Sequence, residues 1–257
     1  IMPSLVGSEM CIRDRDIIDF SKAMKAVDPS ILVIPNGDSD EFFKTVINKA
    51  GNYIDRLCVS NYGVFDFNAG YESYRDTTRC LIWPAQTALN AMNKYATQEQ
   101  LDKWKLIVAE YGTIDWAGLW HGTNDMGHAI VNFDMTGQLL LEPQIEFSCF
   151  WNTRWLNNEE YPQTDHDAVD SNGNINPTGY SLLIWNKFMG DKMIKSESMG
   201  AIISYASYSP HENRLFVYFI NKGEREENVN LIIPNKAAAK IVQCWDCLLY
   251  TSPSPRD

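Results

Sequence analysis

The sequence predicts an α/β fold followed by a smaller antiparallel β module. Between residues 16 and 189, short apolar runs alternate four times with segments of helical spacing, which is typical of βα units that form a parallel sheet. After Gly190 the pattern changes to short runs of alternating or β-branched residues separated by turn sequences, which is typical of part of a β-sandwich. Four βα units are too few to close a barrel, so we expect an incomplete one.

The first region, residues 16–192, begins with a helix that Asp28-Pro29 should stop. Thr97 should restart a later helix, because its hydroxyl can cap the turn together with Gln100 three residues on. The predicted elements are, in order, a helix over 16–27, a strand over 31–34, a helix over 40–50, a strand over 54–60, a helical stretch over 84–104, a strand over 106–110, a helix over 124–139, a strand over 145–151 and a helix over 179–189.

The β module is predicted over residues 193–246. Its strands are expected at 201–208, 215–221, 228–233 and 240–245. The two ends, 1–15 and 247–257, show no such periodicity and resemble translated sequencing-adaptor read-through, so we expect them to lie outside the fold. The chain between them is then expected to be an internal fragment of a longer protein.

Composition narrows the classes of partner. A hydrophobic content of 45% and a charged content of 21% are ordinary for a soluble globular protein. The 22 basic and 33 acidic residues disfavour nucleic acid and anionic membrane surfaces, which need a basic face. No run of about 18 apolar residues is present, so no membrane-spanning helix is expected. Eight Trp and twelve Tyr suit stacking on sugar rings, although they equally suit a large core.

The six cysteines show no grouping typical of a metal site. Cys244 and Cys247 form a CxxC pair without a second pair or a histidine cluster. Cys58 and Cys149 fall inside predicted strands and are expected to be small core residues. We therefore expect no metal, and the cysteines leave the redox compartment open.

The stretch Leu106-Ile107-Val108-Ala109-Glu110-Tyr111-Gly112 is the centre of the predicted fold. Its four aliphatic residues predict a strand that is buried on both faces, as in parallel sheets between helices. In (β/α)8 barrels the active site lies at the carboxyl ends of the strands, which is where Glu110 falls. The alternative is a structural glutamate held by an arginine or a helix N-terminus.

Together, the strand ends form a recognisable series. They read Asn36-Gly37-Asp38, Ser60-Asn61-Tyr62, Glu110-Tyr111-Gly112 and Phe150-Trp151-Asn152. In this order, followed by a β module, they resemble the second half of a clan A glycoside hydrolase. The resemblance covers about residues 16–246 and is greatest to the family 51 α-L-arabinofuranosidases. It implies the second half of a (β/α)8 TIM barrel and part of a β-sandwich.

The resemblance implies a catalytic role for Glu110 as the nucleophile of a retaining glycosidase. Such enzymes use two carboxyl groups, one that attacks the anomeric carbon and one that serves as acid and base. The family's acid/base follows the fourth barrel strand, which would precede Asp16. The only Asn-Glu pair in this sequence, Asn158-Glu159, follows the eighth strand, and we expect it to be a solvated loop.

The resemblance also implies that Tyr62 donates a hydrogen bond that orients Glu110, the alternative being a tyrosine packed at the pocket wall. Five further residues are candidates for substrate binding: Asn36, Asn61, Trp116, Trp151 and Asn152. For Asn61 the alternative is closure of its turn, and for Trp151 a place in the core. Asp38 could line the cleft or cap the helix that begins near Asp40.

The sequence therefore predicts a fragment of an exo-acting, retaining α-L-arabinofuranosidase that carries the nucleophile, lacks the acid/base and is inactive alone. Agarase-like, xylosidase-like and endoglucanase-like enzymes of the same clan are alternatives, as is a non-catalytic carbohydrate-binding protein. The reaction needs no cofactor, because two carboxyl groups suffice. The expected partner is a carbohydrate, from plant-type polysaccharide or oligosaccharide. An oligomer of the intact enzyme, and cytoplasmic or secreted location, stay open.

Overall fold

A computed structural model describes residues 8–63, 71, 80–113, 124–154 and 167–233. This part of the chain contains a parallel sheet with helices packed on it and an antiparallel sheet. The helices are α1 Ser8–Val27, α2 Asp40–Ala50, α3 Trp83–Tyr95, α4 Gln98–Lys103, α5 Met126–Leu140 and α6 Pro177–Phe188. The strands are β1 Leu57–Asn61, β2 Leu106–Tyr111, β3 Ile145–Phe150, β4 Lys192–Ile194, β5 Ile202–Ser209 and β6 Arg214–Asn221.

The parallel sheet has the order β1-β2-β3 and is covered by α2, α3 and α5. Its helix-facing residues are among the most buried of the described chain: Leu57, Val59, Leu106 and Val108 are all 0% exposed. They pack in one cluster with Phe43, Leu89 and Met135 from the helices. The predicted alternation of strand and helix is therefore confirmed for these elements, and the core lies between sheet and helices.

The first predicted strand, 31–34, is wrong. Residues 31–35 form no strand, and Asn36 makes only an isolated parallel bridge to Cys58. The segment still runs beside β1, because Asp55 N donates to Val33 O at 2.9 Å and Cys58 N donates to Pro35 O at 2.9 Å. Pro35 has no N–H to donate, so the ladder cannot continue through it.

The first helix begins at Ser8, earlier than the predicted start at residue 16, and so enters the segment that was expected to lie outside the fold. The other helix predictions agree closely with the structure. Helix α2 has the predicted bounds. Thr97 and Gln100 form the predicted capping box at the start of α4, with Thr97 Oγ1 accepting from Gln100 N at 3.3 Å.

An irregularity in β2 determines which way Glu110 faces. Leu106 and Val108 face the helices, and regular alternation would direct Glu110 to the same face. The pairing instead shifts between Val59 and Ser60: Val59 pairs with Val108, whereas Ser60 pairs with Glu110. The extra residue in β2 makes this a bulge, so that Tyr111 continues the helix-facing side and Glu110 leaves it.

The antiparallel sheet has the order β4-β5-β6. Its inner face packs on α5 and α6, where Phe133 stacks on Trp185 with ring centroids 4.6 Å apart and Tyr205 and Tyr218 contact Trp185.

Strand β4 was not predicted, and it lies across the predicted boundary between residues 192 and 193. The predicted strand over 228–233 is wrong: these residues form no strand, and Ile232 is 82% exposed. The strand predicted over 240–245 lies outside the described residues.

The predicted core position of Cys149 is also wrong, whereas Cys58 is buried as predicted. Cys149 lies on β3, whose only strand partner within the described residues is β2. The edge position leaves Cys149 exposed and Phe147 50% exposed. Among the described helices, none combines the length and the apolar character that crossing a membrane requires.

Candidate active site

The carboxylate of Glu110 and the phenol of Tyr62 meet at the carboxyl ends of β1 and β2. Tyr62 directly follows β1, and Glu110 is the penultimate residue of β2. Tyr62 Oη donates a hydrogen bond to Glu110 Oε2 at 2.7 Å. Glu110 is half-buried, and Tyr62 is 8% exposed. The hydrogen bond that the family resemblance implies is therefore present, and it holds one carboxylate oxygen in place.

Burial raises the pKa of the Tyr62 phenol well above its ordinary value, and the hydrogen bond to Glu110 raises that pKa further. Both effects favour the neutral phenol, because ionisation would place a negative charge in a poorly solvated site beside a carboxylate. Tyr62 therefore stays protonated throughout the neutral range and remains a hydrogen-bond donor.

The raised pKa of Tyr62 makes the stability of the fold depend on alkaline pH. In the unfolded chain Tyr62 ionises near pH 10, whereas in the folded chain it keeps its proton, so stability is lost as pH rises above about 10. Above that pH, each tyrosine that stays protonated only in the folded chain lowers the free energy of unfolding by about 1.4 kcal/mol per pH unit. We expect Tyr62→Phe to flatten this decline, measured by urea unfolding between pH 9 and 11. Tyr208→Phe, which changes an exposed hydrogen bond to Asn213, serves as the control. An equally steep decline in Tyr62→Phe would contradict the expectation.

Asn61 does not line a cleft, and its predicted role in substrate binding is corrected. Its side chain is 0% exposed. Its Nδ2 donates to Leu81 O at 3.2 Å, and its Oδ1 accepts from Ala85 N at 3.3 Å. Both ends of the amide thus bind the backbone at the start of α3. Asn61 closes the turn after β1, which was the alternative, and the side chain is not accessible to a sugar.

Asn36 is exposed and bridges to Cys58 near the start of β1, where Gly37 N donates to Cys58 O at 3.1 Å. Its role in substrate binding stays a prediction, because Cys58 lies four residues before Tyr62 along β1. Asp38 does not cap the following helix. The N-cap of α2 is Ser39, whose hydroxyl accepts from Phe42 N at 3.3 Å.

Trp151 and Asn152 follow β3, next to the end of β2. Trp151 N donates to Tyr111 O at 2.8 Å, and the peptide bond between Trp151 and Asn152 is cis. Both residues are half-buried. The side-chain amide of Asn152 is buried, and its Nδ2 and Oδ1 make no hydrogen bond within the described part of the chain. Their place at the same sheet end as Glu110 agrees with a substrate-binding role. Trp116 and the pair Asn158-Glu159 lie outside the described residues.

Two further residues of the site did not stand out in the sequence. A Cβ on Gly112 would lie 2.8 Å from Trp151 O, so glycine is what lets the ends of β2 and β3 approach each other. Thr136 Oγ1, on α5, lies 3.1 Å from Tyr111 Oη and holds the residue next to Glu110. The position of Gly112 directly after Glu110-Tyr111 was a signal in the sequence, whereas no sequence pattern pointed to Thr136.

The site offers a carboxylate oriented by a neutral donor at the open end of a parallel sheet. Such a group can act as a nucleophile or a general base. No group of three or more His, Cys, Asp or Glu side chains capable of holding a metal ion occurs within the described ranges.

Comparison with known proteins supports the same architecture. No protein-family model matches the chain, and no curated protein matches it. Among solved structures it is similar to an arabinofuranosidase with a TM-score of 0.61 and 18% identity, covering 82% of this chain and 47% of that one. It is also similar to the Thermotoga maritima α-L-arabinofuranosidase in complex with arabinose, with a TM-score of 0.60 and 18% identity, covering 81% of this chain and 46% of that one. The similarity to the family 51 α-L-arabinofuranosidase of Thermotoga petrophila has a TM-score of 0.60 and 17% identity, and it covers 82% of this chain and 47% of that one.

The chain therefore has a mixed α/β fold like that of part of the family 51 α-L-arabinofuranosidases, with a parallel and an antiparallel sheet. It spans less than half of the length of these three solved structures. At such low identity the comparison shows the fold alone.

Proposed function

We propose that this chain is part of a retaining glycoside hydrolase of the arabinofuranosidase type and contributes its nucleophile, Glu110. The hydrogen bond of 2.7 Å between Tyr62 and Glu110 is the observation that carries the proposal. A nucleophilic carboxylate must be ionised and correctly oriented, and a neutral phenol donor helps with both. The fold shared with solved arabinofuranosidases supports the same conclusion.

In the proposed reaction, Glu110 attacks the anomeric carbon and forms a glycosyl-enzyme ester, while the bond to the leaving oxygen breaks. A second carboxylic acid protonates that oxygen and then takes a proton from the water that cleaves the ester. Tyr62 engages Oε2, which leaves Oε1 of Glu110 to form the new bond. No cofactor is needed, because the proton returns to the acid at the end of the cycle.

The second carboxyl group is proposed to come from a part of the enzyme that precedes residue 16. The parallel sheet would then be the second half of a (β/α)8 barrel, with a β-sandwich after it. Three observations support this architecture: the parallel order of β1, β2 and β3, the exposed edge of β3 with Phe147 and Cys149, and the coverage of less than half of the solved relatives. A parallel sheet is otherwise expected to be covered on both faces.

The substrate is proposed to be a carbohydrate with a terminal arabinofuranosyl unit. Trp151 would provide a flat apolar face for the sugar, and Asn152 and Asn36 would provide polar contacts at the rim. The similarity in fold to solved arabinofuranosidases, one of them in complex with arabinose, supports this choice.

The stereochemistry of hydrolysis tests the proposal. A protein that joins this chain to the preceding half of the barrel should hydrolyse nitrophenyl α-L-arabinofuranoside. Proton NMR of the first product should show the same anomeric configuration as the substrate, because two displacements at one carbon restore it. Inversion would contradict Glu110 as a nucleophile. The 257-residue chain alone is the control and should not hydrolyse the substrate.

A further inference from the structure

A buried ion pair joins the antiparallel sheet to the helix that follows β2. Lys222, directly after β6, and Asp134, on α5, are each 1% exposed and form a direct contact between Nζ and Oδ2. Tyr205, on β5, is 4% exposed and donates its hydroxyl proton to the other carboxylate oxygen of Asp134, and the same hydroxyl oxygen lies 3.0 Å from the carbonyl oxygen of Asp134. A charged pair withdrawn from water is stable only when both charges are well partnered, so this geometry is strictly constrained.

The backbone of α5 lies directly against the sheet at the same place. A Cβ on Gly137 would lie only 2.5 to 2.7 Å from three ring carbons of Tyr205. The glycine therefore lets the tyrosine ring contact the helix backbone, one turn after Asp134. The contact between the Tyr205 ring and the helix backbone fixes the distance between α5 and the antiparallel sheet. The ion pair fixes the position of α5 along that sheet.

The same helix holds the end of β2. Thr136 Oγ1 donates to Asn132 O at 2.8 Å and lies 3.1 Å from Tyr111 Oη. A threonine hydroxyl has one proton, so Tyr111 is the donor in the second bond. Burial raises the pKa of Tyr111, which keeps this phenol protonated. Thr136 lies two residues after Asp134, and Tyr111 follows Glu110 directly.

We propose that Lys222, Asp134 and Tyr205 are positioning residues for Glu110. The antiparallel sheet holds α5 through them, and α5 holds the end of β2 through Thr136 and Tyr111. The carboxylate then meets Tyr62 at the observed distance. The inference rests on the proposed function only for the catalytic meaning of Glu110; the coupling itself concerns the geometry of the Tyr62–Glu110 pair.

A purely structural role would give a different result. If the ion pair only stabilised the chain, its loss would lower the folded fraction, but the folded molecules would keep the same hydrogen bond between Tyr62 and Glu110. A positioning role changes that bond inside the folded molecule. The pKa of Tyr62 reports the difference, because burial and the hydrogen bond to Glu110 both raise it.

The test uses the 257-residue chain labelled with ¹³C at Cζ of tyrosine, and the resonance of Tyr62 is assigned with Tyr62→Phe. Tyr205→Phe removes one donor from Asp134 and keeps the ring on Gly137. Tyr208→Phe is the matched control on the same strand, because it removes a single hydrogen bond to Asn213. Thr136→Val breaks the link to Tyr111 without changing the ion pair.

In the wild-type chain we expect Tyr62 to stay protonated at pH 11, where exposed tyrosines ionise. In Tyr205→Phe and in Thr136→Val the Tyr62 resonance should instead begin to titrate below pH 11, whereas in Tyr208→Phe it should not. If Tyr62 stays protonated up to pH 11 in a folded Tyr205→Phe or Thr136→Val variant, as in the wild-type chain, the inference is overturned. Because no sugar is hydrolysed in this measurement, its failure is separate from a failure of the proposed function, which appears as absent or inverting hydrolysis.

Discussion

Replacing Glu110 by glutamine should remove nearly all turnover from the intact enzyme. The amide cannot form the glycosyl ester, and Tyr62 Oη, which now donates to Oε2, would face a neutral group. Loss of a nucleophile of this kind lowers kcat by roughly 10⁴-fold or more. The measurement is the initial rate on nitrophenyl α-L-arabinofuranoside, with and without azide. Azide should restore part of the rate by attacking the anomeric carbon directly, and the product should be an arabinosyl azide.

Glu146→Gln is the matched control for this experiment. Glu146 lies near the start of β3, at the opposite end of the sheet from Glu110, and forms an ion pair of 2.7 Å with Arg56. Its loss should leave the rate on the same substrate close to that of the parent enzyme. Substantial residual turnover in Glu110→Gln, or an equal loss in Glu146→Gln, would show that another group is the nucleophile.

Replacing Lys222 by methionine should destabilise the fold strongly. The substitution leaves the charge of Asp134 buried without its cation, and breaking a buried pair in this way costs about 3–5 kcal/mol. The free energy of unfolding from urea titration at neutral pH measures the effect. Lys103→Met is the control, since its pair with Glu99 is exposed and its loss should not change stability measurably.

The double variant Lys222→Met, Asp134→Asn measures the interaction between the two charges. An asparagine keeps an acceptor for Tyr205 Oη and removes the uncompensated charge, so the double variant should be more stable than Lys222→Met alone. If the two substitutions destabilise additively, the charges of Lys222 and Asp134 do not stabilise each other.

Local signals in the sequence were sufficient for most helices. The bounds of α2 follow from the spacing of Phe43, Val46 and Ile47, which are all buried, and the start of α4 follows from Thr97. Strand predictions were less accurate, because strands depend on partners distant in the chain. The run over 31–34 has strand composition, yet Pro35 limits it to an isolated bridge. Cys149 is exposed because β3 has one strand partner among the described residues.

The candidate site was predictable in part. The contact between Tyr62 and Glu110 agrees with the family resemblance, since strand ends of a parallel sheet converge. The buried position of Asn61 could not be deduced, because it depends on how α3 meets β1. The link from Lys222 to Asp134 joins residues 88 positions apart by their numbers, and no periodicity reports such a contact.

The bulge in β2 has a consequence for which changes this strand tolerates. The orientation of Glu110 depends on the bulge, since pairing shifts between Val59 and Ser60. Deleting Ala109 would remove the extra residue, and regular alternation from Val108 would still direct Glu110 away from the helices and opposite Ser60. The strand should therefore keep the orientation of Glu110 without its extra residue, whereas straightening the bulge with every residue in place would turn the carboxylate toward the helices.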